Sequence, residues 1–353
     1  MNPKKALIGM SGGVDSSVAA LLMHQQGFSC MGIYMRLHSV PCGGANHSAD
    51  AEAVARKMGI PFQVMDFQDA FQENVIRPFV SSYESGLVPN PCIRCNRTMK
   101  FGALLDRALD MGYHYVVTGH YAQIRRDEAT GRYLLYKAAD RAKDQTYFLA
   151  GLSQHQLSHI LFPLGQMRKE AVRGLAQNNG LLTARKKDSQ DICFVPDGDY
   201  VAFMERYAGK TYPAGAFLDL SGNVVGRHRG AVAYTIGQRK GLGLAMGAPV
   251  YVCGKDMEQN TVTVGPNEAL FSKALRGCDW EWYPFPALTS PMAVTAKTRH
   301  SQTEQPAMVY PEENGFARVE FECPQRAITP GQAVVLYQDD VVIGGGTITE
   351  VLL

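Results

Sequence analysis

The stretch GMSGGVDSSV, residues 9–18, decides the fold of this 353-residue chain. It continues the apolar segment KKALIGM (4–10), which predicts a strand, and it opens residues 14–26, whose apolar side chains repeat at helical spacing. Gly12 and Gly13 let backbone amides approach an anion closely, and the start of a helix attracts negative charge. The pattern therefore predicts a phosphate-binding turn between a strand and a helix.

This turn departs from two common nucleotide-binding patterns. A Walker A loop needs G-x-x-x-x-G-K-[ST], and the GKT at Gly209–Thr211 has Met204 where the first glycine should be. No G-x-G-x-x-G follows the first strand, which excludes the dinucleotide fingerprint. Asp15 has two possible roles, to orient the loop or to help hold a Mg²⁺ bound to phosphates. The alternative to a phosphate site is an ordinary capped helix start.

The segments after the turn alternate between the two periodicities. We predict strands at 29–35, 61–67 and 113–119, and helices at 49–58 and 98–111. This βαβα order predicts a parallel sheet with helices on both faces.

Beyond about residue 205 glycine and proline become frequent and the apolar runs become short and β-branched, which is typical of barrels or sandwiches. A break at 276–291 divides this region. The predicted domains are a catalytic α/β domain at 1–205, a small central β-rich domain at 206–276 and a C-terminal β-barrel at 277–353. We expect Trp280 and Trp282 to lie in the barrel core.

Composition limits the classes of partner. Hydrophobic residues are 46% and charged residues 19%, as in soluble globular proteins. With a net charge of +2, affinity for RNA must come from local basic patches. One candidate patch carries no acidic residue, although a solvated face is its other interpretation; it comprises Arg227, Arg229, Arg239 and Lys240.

Neither an apolar run of about 18 residues nor a targeting start is present, so we expect a cytoplasmic protein with no membrane contact. Eight cysteines in a chain of this length do not form a disulfide framework. The question is instead which thiols react.

Two cysteines lie in NPCIRCNRTMKFG, residues 90–102. Cys95 comes just before the predicted helix and between Arg94 and Arg97. Both features favour the thiolate, so we expect Cys95 to have a lowered pKa and to be nucleophilic.

A third cysteine, Cys193, lies in DSQDICF (188–194) and follows the basic run 185–187. Three interpretations of the cysteines remain open. A zinc site lacks a second pair at ligand spacing. The three thiols could ligate an iron–sulfur cluster, or two of them could form a thiol and persulfide pair that transfers sulfur.

The phosphate-binding turn and the cysteines together resemble the bacterial tRNA-specific 2-thiouridylases, within the PP-loop ATP pyrophosphatases. The resemblance covers nearly the whole chain, and its motifs keep the family's order. They are GMSGGVDSSV, GIYM, NPCIRCNRTMKFG, TGHYA (118–122), KDQTYFL (143–149), DSQDICF, YTIGQRKGLG (234–243) and KTRHSQ (297–302).

The resemblance implies an adenine nucleotide alpha hydrolase-like PP-loop domain followed by a small central domain and a β-barrel. It implies ATP and Mg²⁺, adenylation of the C2 oxygen of a wobble uridine in tRNA, and replacement of that oxygen by sulfur. The sulfur would come from a persulfide donor protein, such as a cysteine desulfurase or a relay, or from free sulfide. We expect a monomer. Two other hypotheses are another PP-loop adenylating enzyme and a non-enzymatic sulfur carrier or tRNA-binding module.

Family roles carry over by motif position. Cys95 matches the nucleophile and Cys193 the persulfide-bearing cysteine. The ATP contacts match Gly9, Met10, Ser11, Gly12, Gly13, Val14, Asp15, Ser16, Met35 and Gly119. The stretch that meets the target base matches Asn90, Pro91 and Cys92. The tRNA contacts match His120, Lys143, Asp144, Gln145, Arg299, His300 and Gln332.

One residue departs from the family pattern. Many members have aspartate where this chain has Cys92, so an acid or base role there is in doubt. The change also favours the hypothesis that Cys92, Cys95 and Cys193 ligate an iron–sulfur cluster.

Overall fold

A computed structural model describes residues 3–38, 47–186 and 192–352. In these ranges no helix combines the length and the apolar character that crossing a bilayer requires. The strands are β1 Lys5–Gly9, β2 Ser29–Arg36, β3 Phe62–Asp66, β4 Tyr115–Val117, β5 Gln123–Arg126, β6 Tyr133–Tyr136, β7 Ile160–Leu161, β8 Gly215–Leu218, β9 Val224–His228, β10 Tyr251–Asp256, β11 Thr261–Gly265, β12 Phe271–Trp282, β13 Met292–Lys297, β14 Gln305–Pro311, β15 Ala317–Arg326, β16 Ala333–Gln338 and β17 Val341–Leu352.

The helices lie mostly in the first 210 residues. The α-helices are α1 Val14–Gln25, α2 His47–Met58, α3 Gln68–Phe71, α4 Arg77–Glu84, α5 Pro91–Cys95, α6 Leu104–Asp110, α7 Thr146–Leu149, α8 Gln154–Ser158, α9 Lys169–Asn178 and α10 Tyr200–Ala208. The turns of other helical type are the π-helices Gln72–Ile76 and Asn96–Ala103 and the 3₁₀ turns Arg141–Lys143, Ala231–Ala233, Asn267–Leu270 and Glu313–Gly315.

The first sheet is parallel, with strand order β3-β2-β1-β4-β7, which confirms the predicted α/β class. The chain fills the sheet outward from β1 on one side and from β4 on the other. The order therefore reverses between β1 and β4, and the carboxyl edge at such a point is where open α/β sheets bind ligands. The predicted phosphate-binding turn follows β1 directly.

Helices cover both faces of this sheet. Along β1, Leu7 and Ile8 are fully buried but belong to two different hydrophobic clusters, because successive side chains of a strand point to opposite faces. Val18 of α1 packs in the cluster of Ile8, and Leu104 of α6 in that of Leu7. Burial on both faces explains why β1 is apolar throughout.

The cysteine-bearing helix begins earlier than predicted, at Pro91 instead of Thr98. The side-chain Oδ1 of Asn90 accepts hydrogen bonds from the amides of Cys92 (3.2 Å) and Ile93 (3.3 Å), so Asn90 caps the helix. Proline suits the first helical position because its ring presets φ and it has no amide hydrogen to satisfy. Helical structure then continues through the π-helix Asn96–Ala103 into α6.

The rest of the chain is β-rich, as predicted. One sheet has the order β10-β11-β8-β9. The other contains the order β12-β15-β14-β13-β16-β17 and closes by pairing β12 with β17, so it forms a β-barrel. The hairpin β5–β6 from the catalytic region joins it through β17.

Within the barrel, Trp280 and Trp282 stack with ring centroids 4.9 Å apart and pack against the apolar core. The predicted boundary between residues 276 and 277 falls inside β12. The exact domain limits stay predictions.

Candidate active site

The turn after β1 has the form that a phosphate group requires. Gly12 has φ +73°, and a Cβ added there would lie 2.3 Å from the carbonyl oxygen of His47, so only glycine fits. Gly13 is the N-cap of α1, and no side chain caps this helix end. The amide of Ser11 donates to Ser16 Oγ at 3.1 Å, which closes the turn. Unfilled helix amides and serine hydroxyls suit a polyphosphate.

Two of the residues predicted to contact ATP have buried side chains. Met10 is 2% exposed and its amide donates to the carbonyl of Ile33 at 2.8 Å. Val14 is 3% exposed and packs in the core below α1. Their side chains anchor the two ends of the turn in the core, and any contact with ATP would have to be made by the main chain.

Asp15 orients the loop. Lys169 Nζ donates to both carboxylate oxygens, at 2.8 and 2.7 Å, and the Tyr121 hydroxyl donates to Oδ1 at 2.8 Å. The Lys169 side chain is 7% exposed. Both oxygens of Asp15 are engaged within the protein, which fits the orienting role; the Mg²⁺ role stays a prediction.

A second lysine also reaches the loop from far along the chain. Lys186 Nζ donates to the carbonyl of Gly12 at 3.0 Å and pairs with Asp50 of α2. The Thr183 hydroxyl, three residues earlier, donates to Ser17 Oγ at 3.0 Å. The turn itself lacks lysine, but Lys169 and Lys186 reach it from later in the chain, each paired with a carboxylate. The sequence carried no local signal for either contact.

The TGHYA motif links the turn to the cysteine helix. A Cβ on Gly119 would lie 2.6 Å from the carbonyl carbon of Asp15, so Gly119 touches the loop directly. The next residue, His120, packs its ring against Phe101 of the cysteine helix, with centroids 5.8 Å apart. His120 Nδ1 is 2.7 Å from the Thr118 hydroxyl. Burial holds the pKa of His120 well below its usual range, so the ring is neutral.

The expectation of a lowered pKa for Cys95 is wrong. Cys95 is 8% exposed, and burial raises the pKa of its thiol, with Lys100 offsetting part of the rise. Neither flanking arginine is directed at the thiol: Arg94 donates to the carbonyl of Asn74, and Arg97 is 3.4 Å from Glu281. The residues beside Cys95 in sequence had predicted a thiolate, but residues distant in sequence bury the thiol and raise its pKa.

The other two cysteines are at the surface. Cys92 is exposed, yet the protein around it raises the pKa of its thiol, and Lys100 again opposes the shift. Cys193 is exposed and follows Ile192. Its neighbour Phe194 is 2% exposed and lies in the same hydrophobic cluster as Cys95. The segment that carries Cys193 therefore packs, through Phe194, against the hydrophobic cluster that buries Cys95.

Residues 188–191 of the DSQDICF motif lie outside the described residues. In the three ranges given above, no group of three or more His, Cys, Asp or Glu side chains is arranged to hold a metal ion. The three cysteines are therefore not assembled as cluster ligands in this structure.

Met35 lies between the sheet core and the hydrophobic cluster that contains Cys95. It is partly buried near the end of β2 and packs against the cluster that contains Leu7 as well as the cluster that contains Cys95. Its neighbour on β3 is Met65. Met35 therefore shares the carboxyl edge of the sheet with the phosphate-binding turn.

Two of the predicted tRNA contacts are used inside the protein. Asp144 accepts hydrogen bonds from the amide of Ala138 (2.8 Å) and the hydroxyl of Thr146 (2.5 Å). Gln145 Oε1 accepts from the amide of Tyr121 at 2.9 Å. Both side chains fix the loop that follows β6, next to the half-buried Lys143.

The contacts predicted in the barrel lie where it meets the catalytic region. Gln332 Nε2 donates to the carbonyl of Val88 at 2.7 Å, just before the 90–92 stretch. Arg299 donates to the carbonyl of Ala327. His300 is exposed and stacks on Phe148 with centroids 4.4 Å apart. Their roles in binding RNA stay predictions.

The basic patch of the central region faces solvent. Its four side chains are exposed, and none forms an ion pair with another described residue; they are Arg227, Arg229, Arg239 and Lys240. Unpaired surface cations at this density suit a polyanion.

Fold and site together define a class: an α/β nucleotide-binding domain with a phosphate-binding turn at its switch point, followed by two β domains. Three family patterns match the chain in this order, the tRNA methyl transferase HUP domain at residues 4–197, the tRNA methyl transferase PRC-barrel domain at 201–266 and the Aminomethyltransferase beta-barrel domain at 272–348.

Relatives narrow the class. The chain is 48% identical over 358 residues to the tRNA-specific 2-thiouridylase MnmA of Acetivibrio thermocellus, with 99% of this chain and 100% of that protein covered. It is 48% identical to MnmA 1 of Clostridium botulinum strain Loch Maree (98% and 99% covered) and 47% identical to MnmA of Heliobacterium modesticaldum (98% and 92%). The chain belongs to the tRNA-specific 2-thiouridylase MnmA family.

Proposed function

We propose that this protein is an ATP-dependent tRNA-uridine 2-sulfurtransferase, which converts the wobble uridine of tRNA to 2-thiouridine and releases AMP and pyrophosphate. One observation carries the proposal beyond family membership. Gly119 contacts the phosphate-binding turn, and the next residue, His120, packs against the helix that carries the cysteines. This contact supports the proposal, because a nucleotide held by the turn would lie at the same edge of the sheet as the helix that carries Cys95.

The first half-reaction is adenylation. The amides of the turn hold the phosphates of ATP, with Lys169 and Asp15 fixing the loop that presents them. The uridine C2 oxygen attacks the α-phosphorus, the bond to the bridging oxygen breaks, and pyrophosphate leaves. Mg²⁺ would enter bound to the phosphates.

The second half-reaction replaces oxygen by sulfur. A persulfide protein, such as a cysteine desulfurase or relay, transfers its terminal sulfur to the exposed Cys193 and is left as a thiol. The terminal sulfur attacks C2 and AMP leaves with the former C2 oxygen. Cys95 then attacks the Cys193 sulfur, which releases 2-thiouridine and leaves a Cys95–Cys193 disulfide. Free sulfide would instead attack C2 directly and displace AMP, without passing through Cys193.

The tRNA would lie across the two β domains and the helix start at Asn90. Exposed cations of the central region, among them Arg239 and Lys240, suit the phosphate backbone. The target base must leave its stack before C2 can be reached, and Asn90, Pro91 and Cys92 are the stretch assigned to it. A monomeric, cytoplasmic enzyme is the form we expect.

The test is a thiolation assay with the purified chain, a tRNA transcript with a wobble uridine, ATP and a persulfide donor, read by mass spectrometry of nucleosides. Cys95→Ser and Cys193→Ser should each abolish 2-thiouridine while ATP still binds. Cys323→Ser is the matched control, because Cys323 is an exposed thiol on the barrel strand β15. Wild-type activity in both active-site variants would contradict the proposal.

Anaerobic preparation with iron and sulfide analysis accompanies this assay. Stoichiometric iron, together with loss of thiolation on chelation, would replace the persulfide step by a cluster-dependent one that uses free sulfide.

A further inference from the structure

Cys92 and Cys95 lie three residues apart in the short helix α5. Asn90 caps the start of this helix, since its side chain accepts hydrogen bonds from the amides of Cys92 and Ile93. Residues three apart in an α-helix have Cα atoms about 5 Å apart, which lies in the range that a disulfide spans. The two thiols can therefore bond to each other with little backbone movement.

The two thiols differ in access. Cys92 is exposed, whereas Cys95 is 8% exposed and packs in a cluster with Phe71 and Phe194. A protein reductant can reach Cys92 directly, but it cannot reach the Cys95 sulfur without opening this cluster. An exposed thiol beside a buried one is the arrangement that passes electrons inward by thiol–disulfide exchange.

Sulfur delivery as proposed above ends with a Cys95–Cys193 disulfide, and Cys193 must become a thiol again before it can be reloaded. Two electrons are needed for each turnover. A thiol held beside the disulfide acts at an effective concentration far above that of a cellular reductant. Cys92 is the thiol that the structure places there.

We propose that Cys92 is the resolving cysteine of this chain. Its thiolate attacks the Cys95 sulfur, a Cys92–Cys95 bond forms, the Cys95–Cys193 bond breaks, and Cys193 leaves as a thiolate that takes up a proton. A dithiol reductant then reduces the Cys92–Cys95 disulfide at its exposed end and is itself oxidised to a disulfide. The inference rests on the proposed function and gives Cys92 a role that an aspartate could not perform.

Charge near the pair supports the exchange. Lys100, on the π-helix that follows, lowers the pKa of both thiols against the effect of burial. Lys100 is half-buried, and no carboxylate among the described residues pairs with it. Its charge is therefore available to the thiolates.

Trypsin separates the three cysteines, which makes the disulfides easy to tell apart. Cleavage after Arg94 divides Cys92 from Cys95, and Cys193 lies on a third peptide, residues 188–206. The full chain is loaded with persulfide, allowed one turnover on tRNA without added reductant, alkylated, digested and analysed by mass spectrometry. The Cys92 peptide should be linked to the Cys95 peptide, with Cys193 alkylated.

In Cys92→Ser the linked pair should instead be Cys95 and Cys193. With a micromolar thioredoxin-type protein as reductant, the ratio of second- to first-turnover rate should fall by about tenfold or more relative to wild type. Cys323→Ser should leave this ratio unchanged. A wild-type protein that stops at the Cys95–Cys193 link, or a Cys92→Ser variant with the wild-type ratio, would overturn the inference.

Failure of the proposed function gives a different result, since no 2-thiouridine would form in any variant. The pair is then tested without tRNA, by oxidation with diamide. A Cys92–Cys95 link should form and should be reduced by the dithiol protein. Its absence would remove the redox pair whatever reaction the enzyme performs.

Discussion

The ion pair between Asp15 and Lys169 should be the most sensitive polar contact of the catalytic domain. The Lys169 side chain is 7% exposed and Asp15 is 30% exposed, with both carboxylate oxygens bonded to the ammonium. Asp15→Asn keeps the shape of the side chain but removes the negative charge that accepts two hydrogen bonds from the Lys169 ammonium.

Breaking a buried pair in this way costs about 3–5 kcal/mol of unfolding free energy. For a domain of roughly 200 residues, each kcal/mol lowers the transition by about 2–4 °C. Asp15→Asn should therefore lower the transition of the catalytic domain by about 6–12 °C at the lower bound of the cost. Lys169→Met should cost less, about 1–2 kcal/mol, because Asp15 keeps the Tyr121 hydroxyl and access to water.

The assay is scanning calorimetry of both single variants and the double variant, with ATP binding measured in parallel. The loss in the double variant should fall short of the summed single losses by about 2 kcal/mol, since both single variants remove the same ion pair. Glu52→Gln is the control, because the Glu52–Arg56 pair is exposed and should contribute less than about 0.5 kcal/mol. If Asp15→Asn destabilises no more than Glu52→Gln, the reasoning is refuted.

Three further predictions concern stability, nucleotide and RNA. Burial lowers the pKa of Lys255 from 10.5 to about 8, and its Nζ has no hydrogen-bond partner among the described residues. Burial penalises the charged form of Lys255 in the folded state, so the free energy of unfolding should fall as pH drops from above 10.5 to below 8. In denaturant titrations at pH 7, Lys255→Met should raise the free energy of unfolding by up to about 3 kcal/mol. An unchanged unfolding midpoint in this variant would show that the ammonium is hydrated. Gly119→Ala should abolish ATP binding in calorimetric titrations, because the added methyl lies 2.6 Å from the Asp15 backbone, and wild-type affinity would place the nucleotide elsewhere. Arg239→Ala and Lys240→Ala should each weaken tRNA binding in filter assays and reduce the salt slope by about one, whereas unchanged slopes would exclude these side chains from the interface.

The sequence predicted β1 and α1 well because the signals for both lie within a few neighbouring residues. A glycine turn after an apolar run, and helical periodicity directly behind it, predicted β1 and α1 to within one residue at most boundaries. The start of the cysteine helix also has a local signal, because Asn90 caps the helix and Pro91 occupies its first position. The prediction instead followed the apolar repeat, which begins only at Phe101.

The site depended on contacts that no local pattern contains. Asp15 and Lys169 are 154 residues apart, so their pairing follows from the fold alone. The pKa of Cys95 has the same origin, because burial by residues such as Phe71 and Phe194 outweighs the charges beside it in sequence. The sequence pointed to Cys95 as a candidate nucleophile, whereas its burial and raised pKa follow from the fold.

The proposed reaction depends on adenylation of the C2 oxygen of the target uridine by ATP. A tRNA carrying ¹⁸O at C2 of the wobble uridine tests it directly, with the AMP product analysed by mass spectrometry after a single turnover. If the enzyme adenylates that oxygen, the label must leave with AMP, one labelled AMP for each 2-thiouridine formed. Unlabelled AMP accompanying 2-thiouridine, or 2-thiouridine formed without ATP, would show that the C2 oxygen is not adenylated.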